Sequence, residues 1–182
     1  MPDYRRWYQP GGTYFFTVVA SRRWAIFRDP KARRLLGDAF RFVTQARPFR
    51  TSAIVLLPDH LHCVWSLPRA DEDYSGRWKQ VKDHFTEAWI ESGGREMPVT
   101  RSQRGRGHRG IWQRRFWEHV VRDEKDLERC VDYLHFNPVK HGYASRPGDW
   151  EWSSFRRFVR EGHYPPDWGR VEPAGIEGMD WE

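Results

Sequence analysis

His60-Leu61-His62 sets two imidazoles two residues apart inside an apolar, β-prone run, Leu56-Leu57-Pro58-Asp59-His60-Leu61-His62-Cys63-Val64-Trp65. Residues i and i+2 of a strand point to the same face. The pair therefore leaves one side of a sheet together, close enough to share a divalent cation, while Leu61, Cys63 and Trp65 face the other way. That is half a metal site. Far along the chain, Tyr133 and Asn137 are spaced i, i+4 in a helical pattern, which stacks them on one face of the helix. Phosphodiester cleavage by a side chain needs a nucleophile and a cation on the non-bridging oxygens. Here His60 and His62 would hold the cation, the Asn137 amide oxygen would be a third ligand, and the Tyr133 phenol would attack. A mixed nitrogen and oxygen set suits Mg²⁺ or Mn²⁺, although imidazoles also accept Zn²⁺. Taken singly, each part is commonplace in a core or on a surface. The residues alone leave three readings open: a nuclease in which Tyr133 attacks, a metal hydrolase in which water attacks, and a non-catalytic module that binds structured nucleic acid. His119, His135 and His141 read as structural.

The elements that must position these groups are legible from periodicity and punctuation. Thr13 to Val19 is rich in β-branched and aromatic residues and predicts a buried first strand. Asp29-Pro30 supplies a cap and a first-turn proline for a helix carrying Ala32, Leu35, Leu36, Ala39, Phe40 and Val43. Residues 49–57 and 60–67, split by Pro58-Asp59, predict an antiparallel hairpin whose second strand begins at the histidines. Trp78, Val81, Phe85 and Ala88 mark a second helix, entered through Asp73 or Ser75, that covers the sheet. Ile111-Trp112 and Phe116 to Val121 read as a further strand segment. Asp123 and Asp126 open the next helix, with Leu127, Cys130, Val131 and Leu134 as its stripe. Pro138 biases Asn137 away from helical geometry, so that helix is expected to end at Asn137.

Composition bounds the partner. With 182 residues the chain fits one domain large enough to bury a core. Residues 171–182 hold four of the 25 acids and none of the 31 Lys and Arg, so the body carries +10 against +6 for the whole chain. A basic body with 11 Trp, 11 Phe and 7 Tyr has the composition of a surface that holds phosphates and stacks bases. An N-terminal arm interleaves Arg5, Arg6 and Trp7 with tyrosines. Residues 91–110 alternate glycine and arginine and are expected to form a mobile basic loop. Two cysteines make no disulfide framework, and no apolar run is long enough to span a membrane, so a cytoplasmic protein is expected.

The order LPDHLHCVW, then RFWEHVVRDEKDLERCVDYLHFNPVKHG, then DWEWSSF resembles the HUH single-tyrosine transposases and, within them, the REP-associated tyrosine transposases. The resemblance runs from about Tyr4 to Trp168. It implies an α+β, ferredoxin-like antiparallel sheet with helices packed on it, in a domain spanning 1–169; the acidic composition of 170–182 is expected to make that stretch a flexible tail. It places the histidine pair of the family on His60 and His62, the nucleophile on Tyr133 and the polar metal ligand on Asn137, where broader relatives carry Gln. It further implies single-stranded or hairpin DNA as substrate, to which the ligand set adds Mg²⁺ or Mn²⁺ as cofactor; one tyrosine per chain makes one cut, which leaves monomer or homodimer open. Arg5, Arg6 and Trp7, the loop residues Arg104, Arg106 and Arg109, and Arg114 with Arg115 are the groups expected to grip DNA.

Overall fold

The computed structural model describes residues 6–179 and Trp181. Strand β1 (Thr13–Val19) is followed by helix α1 (Pro30–Ala46), a hairpin of β2 (Arg50–Leu56) and β3 (His60–Ser66), helix α2 (Tyr74–Glu91), a short helix α3 (Arg101–Gly105), strand β4 (Trp117–Val120), helix α4 (Glu124–Lys140) and a short helix α5 (Phe155–Arg160). The sheet order is β2-β3-β1-β4 with every neighbouring pair antiparallel. Because β3 is inserted between β1 and β2, this is the split βαβ arrangement of ferredoxin-like folds.

Alternation along the strands gives the sheet two buried faces. Phe16, Val18, Leu61, Cys63 and Trp65 point to one side, where Leu36, Ala39 and Val43 of α1 and Trp78, Val81 and Phe85 of α2 close a core. Trp65 stacks on Trp78 with ring centroids 4.2 Å apart. Phe15, Val55 and Val64 point to the other side, under Cys130, Val131, Tyr133 and Leu134 of α4. The register sets Val19 opposite His60 and Thr17 opposite His62, which puts the histidines on the face that α4 crosses.

The caps are those the sequence encodes. Asp29 accepts from the Lys31 amide at 2.7 Å with Pro30 in the first turn, Asp73 accepts from Gly76 at 2.7 Å, and Asp123 accepts from Asp126 at 2.8 Å. Three local expectations are corrected. Helix α4 does not stop at Asn137 but runs through Pro138 to Lys140. Proline removes one donor there, while the Asn137 and Pro138 carbonyls are taken up by the amides of His141 (3.0 Å) and Tyr143 (2.8 Å), so the last turn still closes. Residues 91–110 are partly built: Thr100 and Gln103 form a reciprocal capping box for α3, and Arg109 grips Glu96 with two hydrogen bonds of 2.8 Å. Trp112 makes only an isolated bridge to Ala20, and the strand proper begins at Trp117.

The end of the chain also packs. Ile176 and Met179 are buried against the α4 face, and Trp181 joins them there. An acidic composition suggested a loose tail; the three apolar residues spaced through it are what anchor it.

Candidate active site

His60 and His62 leave β3 side by side, ring centroids 4.9 Å apart, and both are buried. Helix α4 lays Tyr133 beside them, its ring centroid 5.5 Å from that of His62. Asn137, one turn further on, is buried as well.

The hydrogen bonds at the far side of each imidazole fix which nitrogen faces the site. His60 Nδ1 lies 2.6 Å from Asp59 Oδ1, and a carboxylate can only accept, so Nδ1 carries the proton. Burial alone would raise the Asp59 carboxyl; the hydrogen bond and charge of His60, then Arg23 at 3.3 Å, hold it below its usual value. Arg23 is held in the left-handed region, as is its neighbour Arg22, with φ of 51° and 55°. On His62, Nδ1 lies 2.9 Å from Thr17 Oγ1. The Thr17 hydroxyl donates its single proton to the Trp181 carbonyl, so it must accept from His62 Nδ1. When both imidazoles are neutral, each keeps its lone pair on Nε2, on the side of the ring away from Asp59 or Thr17.

Those lone pairs have no protein partner. His60 Nε2, His62 Nε2 and both polar atoms of the Asn137 amide are buried without a hydrogen bond among the described residues. The Asn137 amide faces His62 but closes no hydrogen bond of normal geometry with it. Burial, then the charges of His60, His141 and Lys140, push the His62 imidazole well below its ordinary value, which keeps it in the neutral, ligand-competent form. Buried polar atoms are nearly always satisfied. The two imidazole nitrogens and the amide oxygen are a donor set that fits a divalent cation.

Among the described residues, His119, Asp126 and Cys130 also bring potential ligand atoms within 4.8 Å of one another. Here the carboxylate is already satisfied, by His119 Nε2 at 2.9 Å, the Arg122 amide at 3.0 Å and the Arg122 guanidinium at 3.0 and 3.2 Å. Although burial raises the Asp126 carboxyl, those donors outweigh it and hold it well below the usual range, while burial pushes the Cys130 thiol up to about 12. That trio is a structural network that ties β4 to α4.

Lys140 and Trp181 stand at the site without having been singled out from the sequence, and His141, read there as structural, stands beside them. Lys140 Nζ lies 3.2 Å from Tyr133 Oη. The spacing 133, 137, 140 is a helical stripe, so this contact had a signal once α4 was known to continue past Pro138. His141 stands with its ring 5.4 Å from that of His60. Trp181 sits over the phenol, its ring 5.3 Å from Tyr133 and its amide 3.3 Å from Tyr133 Oη. It also stacks near Trp117 and His119 and meets Phe15 edge-on.

The groups expected to grip DNA are scattered. Arg5 lies outside the described residues. Trp7 is 70% exposed. Arg6 turns inward, its guanidinium 3.9 Å above the Phe116 ring, hydrogen-bonded to Ser75 and paired with Glu118. Arg104, Arg106, Arg114 and Arg115 are exposed, and Arg109 is exposed but paired with Glu96. Gln113 bonds to Val19, so Arg114 and Arg115 emerge at the His60 end of β1.

A split βαβ sheet with a histidine pair on its helix-covered face, and a tyrosine from that helix beside it, defines an HUH-type nuclease fold. Comparison with known proteins narrows the class. The chain is 42% identical over 169 residues to the REP-associated tyrosine transposase of Escherichia coli K12, a match covering 92% of this chain and 91% of that one. It is 39% identical over 183 residues to a putative REP-associated tyrosine transposase of Haemophilus influenzae, covering 98% and 99%. A solved REP-associated tyrosine transposase bound to a REP hairpin superposes with a TM-score of 0.76 at 38% identity, covering 99% of each chain. No family model matches. The chain belongs to the REP-associated tyrosine transposases, enzymes that nick DNA and transfer its strands.

Proposed function

We propose that the protein cuts single-stranded DNA at or beside a hairpin of the repetitive extragenic palindrome type, with Tyr133 as nucleophile. Tyr133 Oη attacks phosphorus, forming a 5′-phosphotyrosyl ester as the bond to the leaving 3′-oxygen breaks; the phenolic proton is lost to solvent and the 3′-oxygen gains one. The ester conserves the bond energy, so a 3′-hydroxyl can attack it, regenerate Tyr133 and join strands without a nucleotide cofactor. The Lys140 ammonium, donating to Tyr133 Oη, orients the attacking oxygen and favours its anionic form. His60 Nε2, His62 Nε2 and the Asn137 amide oxygen would hold a divalent cation, Mg²⁺ or Mn²⁺, which would supply positive charge at the phosphate oxygens. Asp59 and Thr17 hold the two imidazoles in the tautomers that present those nitrogens.

The basic body and the hairpin-bound relative support DNA as the substrate, with Trp7, Arg104, Arg106, Arg114 and Arg115 exposed to meet it. No helix among the described residues is long and apolar enough to cross a membrane, and we place the protein's work with the DNA in the cytoplasm. One tyrosine per chain makes one cut, so two cuts require a homodimer or two turnovers of a monomer.

The observation that carries this reading is the set of unpartnered buried atoms on His60, His62 and Asn137 beside Tyr133. Incubating the protein with a labelled hairpin oligonucleotide and Mn²⁺ should trap a covalent adduct on a denaturing gel, absent in Tyr133→Phe. An adduct that survives that substitution would sink the assignment, and a free 5′-phosphate without adduct would identify water as nucleophile.

A further inference from the structure

A ladder of rings runs outward from the metal-ligating histidines. His60 meets His141 at 5.4 Å, His141 stacks on Tyr143 at 5.8 Å and 27°, Tyr143 lies 5.7 Å and 30° from Trp150, and Trp150 meets Trp152 edge-on at 5.2 Å. At the outer end the Arg33 guanidinium stands 4.0 Å from the Trp152 ring, held there by hydrogen bonds to the Phe27 and Arg28 carbonyls at 2.8 and 2.9 Å. At the inner end Arg23 pairs with Asp59. Tyr143 and Trp152 are 39% and 36% exposed.

The ladder is rigidly mounted. Trp150 Nε1 donates to Leu56 O at 2.9 Å, the Leu56 amide donates to Trp152 O at 2.8 Å, and Ser153 bridges Val55. The edge of β2 and the turn leading to His60 therefore carry these rings. A core needs no such file of partly open rings with a guanidinium at its outer end, whereas an unpaired strand can use one: each base offers a face to stack, and each phosphate a charge to pair.

We propose that Tyr143 and Trp152 form a stacking platform for the single-stranded DNA that flanks the hairpin, threading it from the Arg33 end to the scissile phosphate at Tyr133. This deepens the proposed nuclease reading and rests on it. Among the described residues the other exposed aromatics are placed elsewhere: Phe42 stacks on His84, joining α1 to α2 on the opposite layer, and Trp7 and Tyr8 lie at the Thr13 end of β1, about 20 Å from Val19 and His60 by strand rise. The groove between β2, α4 and α5 sets four carboxylates, Glu124, Glu128, Asp132 and Glu161, against two arginines, Arg50 and Arg157, so its lining is net acidic and less suited to phosphate.

The test compares binding, without added metal, to a hairpin bearing six unpaired nucleotides on each side and to the same hairpin with blunt ends. Tyr143→Ala/Trp152→Ala should weaken binding of the flanked hairpin by about 10- to 100-fold and leave the blunt one unchanged. Abasic substitutions in the flank should weaken wild type but not the double variant, and Tyr143→Phe/Trp152→Phe should bind like wild type. Equal affinity of the alanine variant and wild type for the flanked hairpin overturns the proposal, as does an equal loss on the blunt hairpin. Adduct formation by the wild type, read on the same flanked hairpin with Mn²⁺, tests the nuclease reading separately: its absence would end that reading while the stacking result stood.

Discussion

The ammonium of Lys140 and the phenolic oxygen of Tyr133 lie 3.2 Å apart, seven residues from each other on one helix. The same ammonium bonds to the Met179 carbonyl at 2.9 Å, so it binds together the Tyr133 phenol, the helix end and the C-terminal segment. Lys140→Ala should slow adduct formation by about 10²-fold, the scale of a lost positioned cation or acid–base group, and shift the rate profile to higher pH. Lys140→Arg should recover part of the rate. A wild-type pH profile in Lys140→Ala would show that the contact is structural.

Asp59 is expected to act through His60. Asp59→Asn leaves an acceptor of similar shape but removes the charge and permits the wrong imidazole tautomer. Mn²⁺ affinity, read by calorimetry or electron paramagnetic resonance, should fall about 10- to 100-fold, as for other groups that orient a metal-ligating histidine. Hairpin affinity without metal should not change.

Trp181 and Met179 lie on the path to Tyr133, whose side chain is almost wholly buried. A chain truncated after Gly169 should form adduct several-fold faster at low DNA concentration. It should also unfold at lower denaturant, because Ile176 and Met179 no longer bury apolar surface on α4. An unchanged initial rate would mean that the segment does not compete with DNA.

Acid should weaken the fold through His135. Burial, with a smaller effect from Arg157, pushes this imidazole down to about 3, and it is wedged between Ser154 at 2.8 Å and Tyr164 at 3.3 Å. Its folded value lies below the unfolded value near 6.5. The unfolded chain therefore binds the extra proton, and the stability present above pH 6.5 is lost as pH falls from there toward 3. The slope from this group is at most about 1.4 kcal/mol per pH unit. Denaturant titrations from pH 7 to pH 4 should show a falling midpoint, with a shallower fall in His135→Gln.

Local signals in the chain were strong enough to place β1, the β2–β3 hairpin and the three long sheet-covering helices, because alternation, capping aspartates and Pro30 all agree at those points. The same-face pair His60 and His62 and the stacked pair Tyr133 and Asn137 were readable for the same reason: each is a statement about one element. What spans elements was not. Thr17 meets His62 only because of the register between β1 and β3, and His141 reaches His60 only because α4 continues past Pro138. Trp181, 164 residues from its hydrogen-bond partner Thr17, was hidden by the acidic residues around it.

That threonine has one proton to give. While Trp181 is docked, the proton is committed to its carbonyl and His62 must keep its own on Nδ1, leaving Nε2 open. Docking of the C-terminal segment and loading of the imidazole pair are thereby thermodynamically linked with the same sign, and linkage is reciprocal. With the roles proposed above for His62 and Tyr133, the docked segment would favour acceptance of an ion while covering the Tyr133 phenol, so metal availability and DNA entry would act on the enzyme in opposite directions.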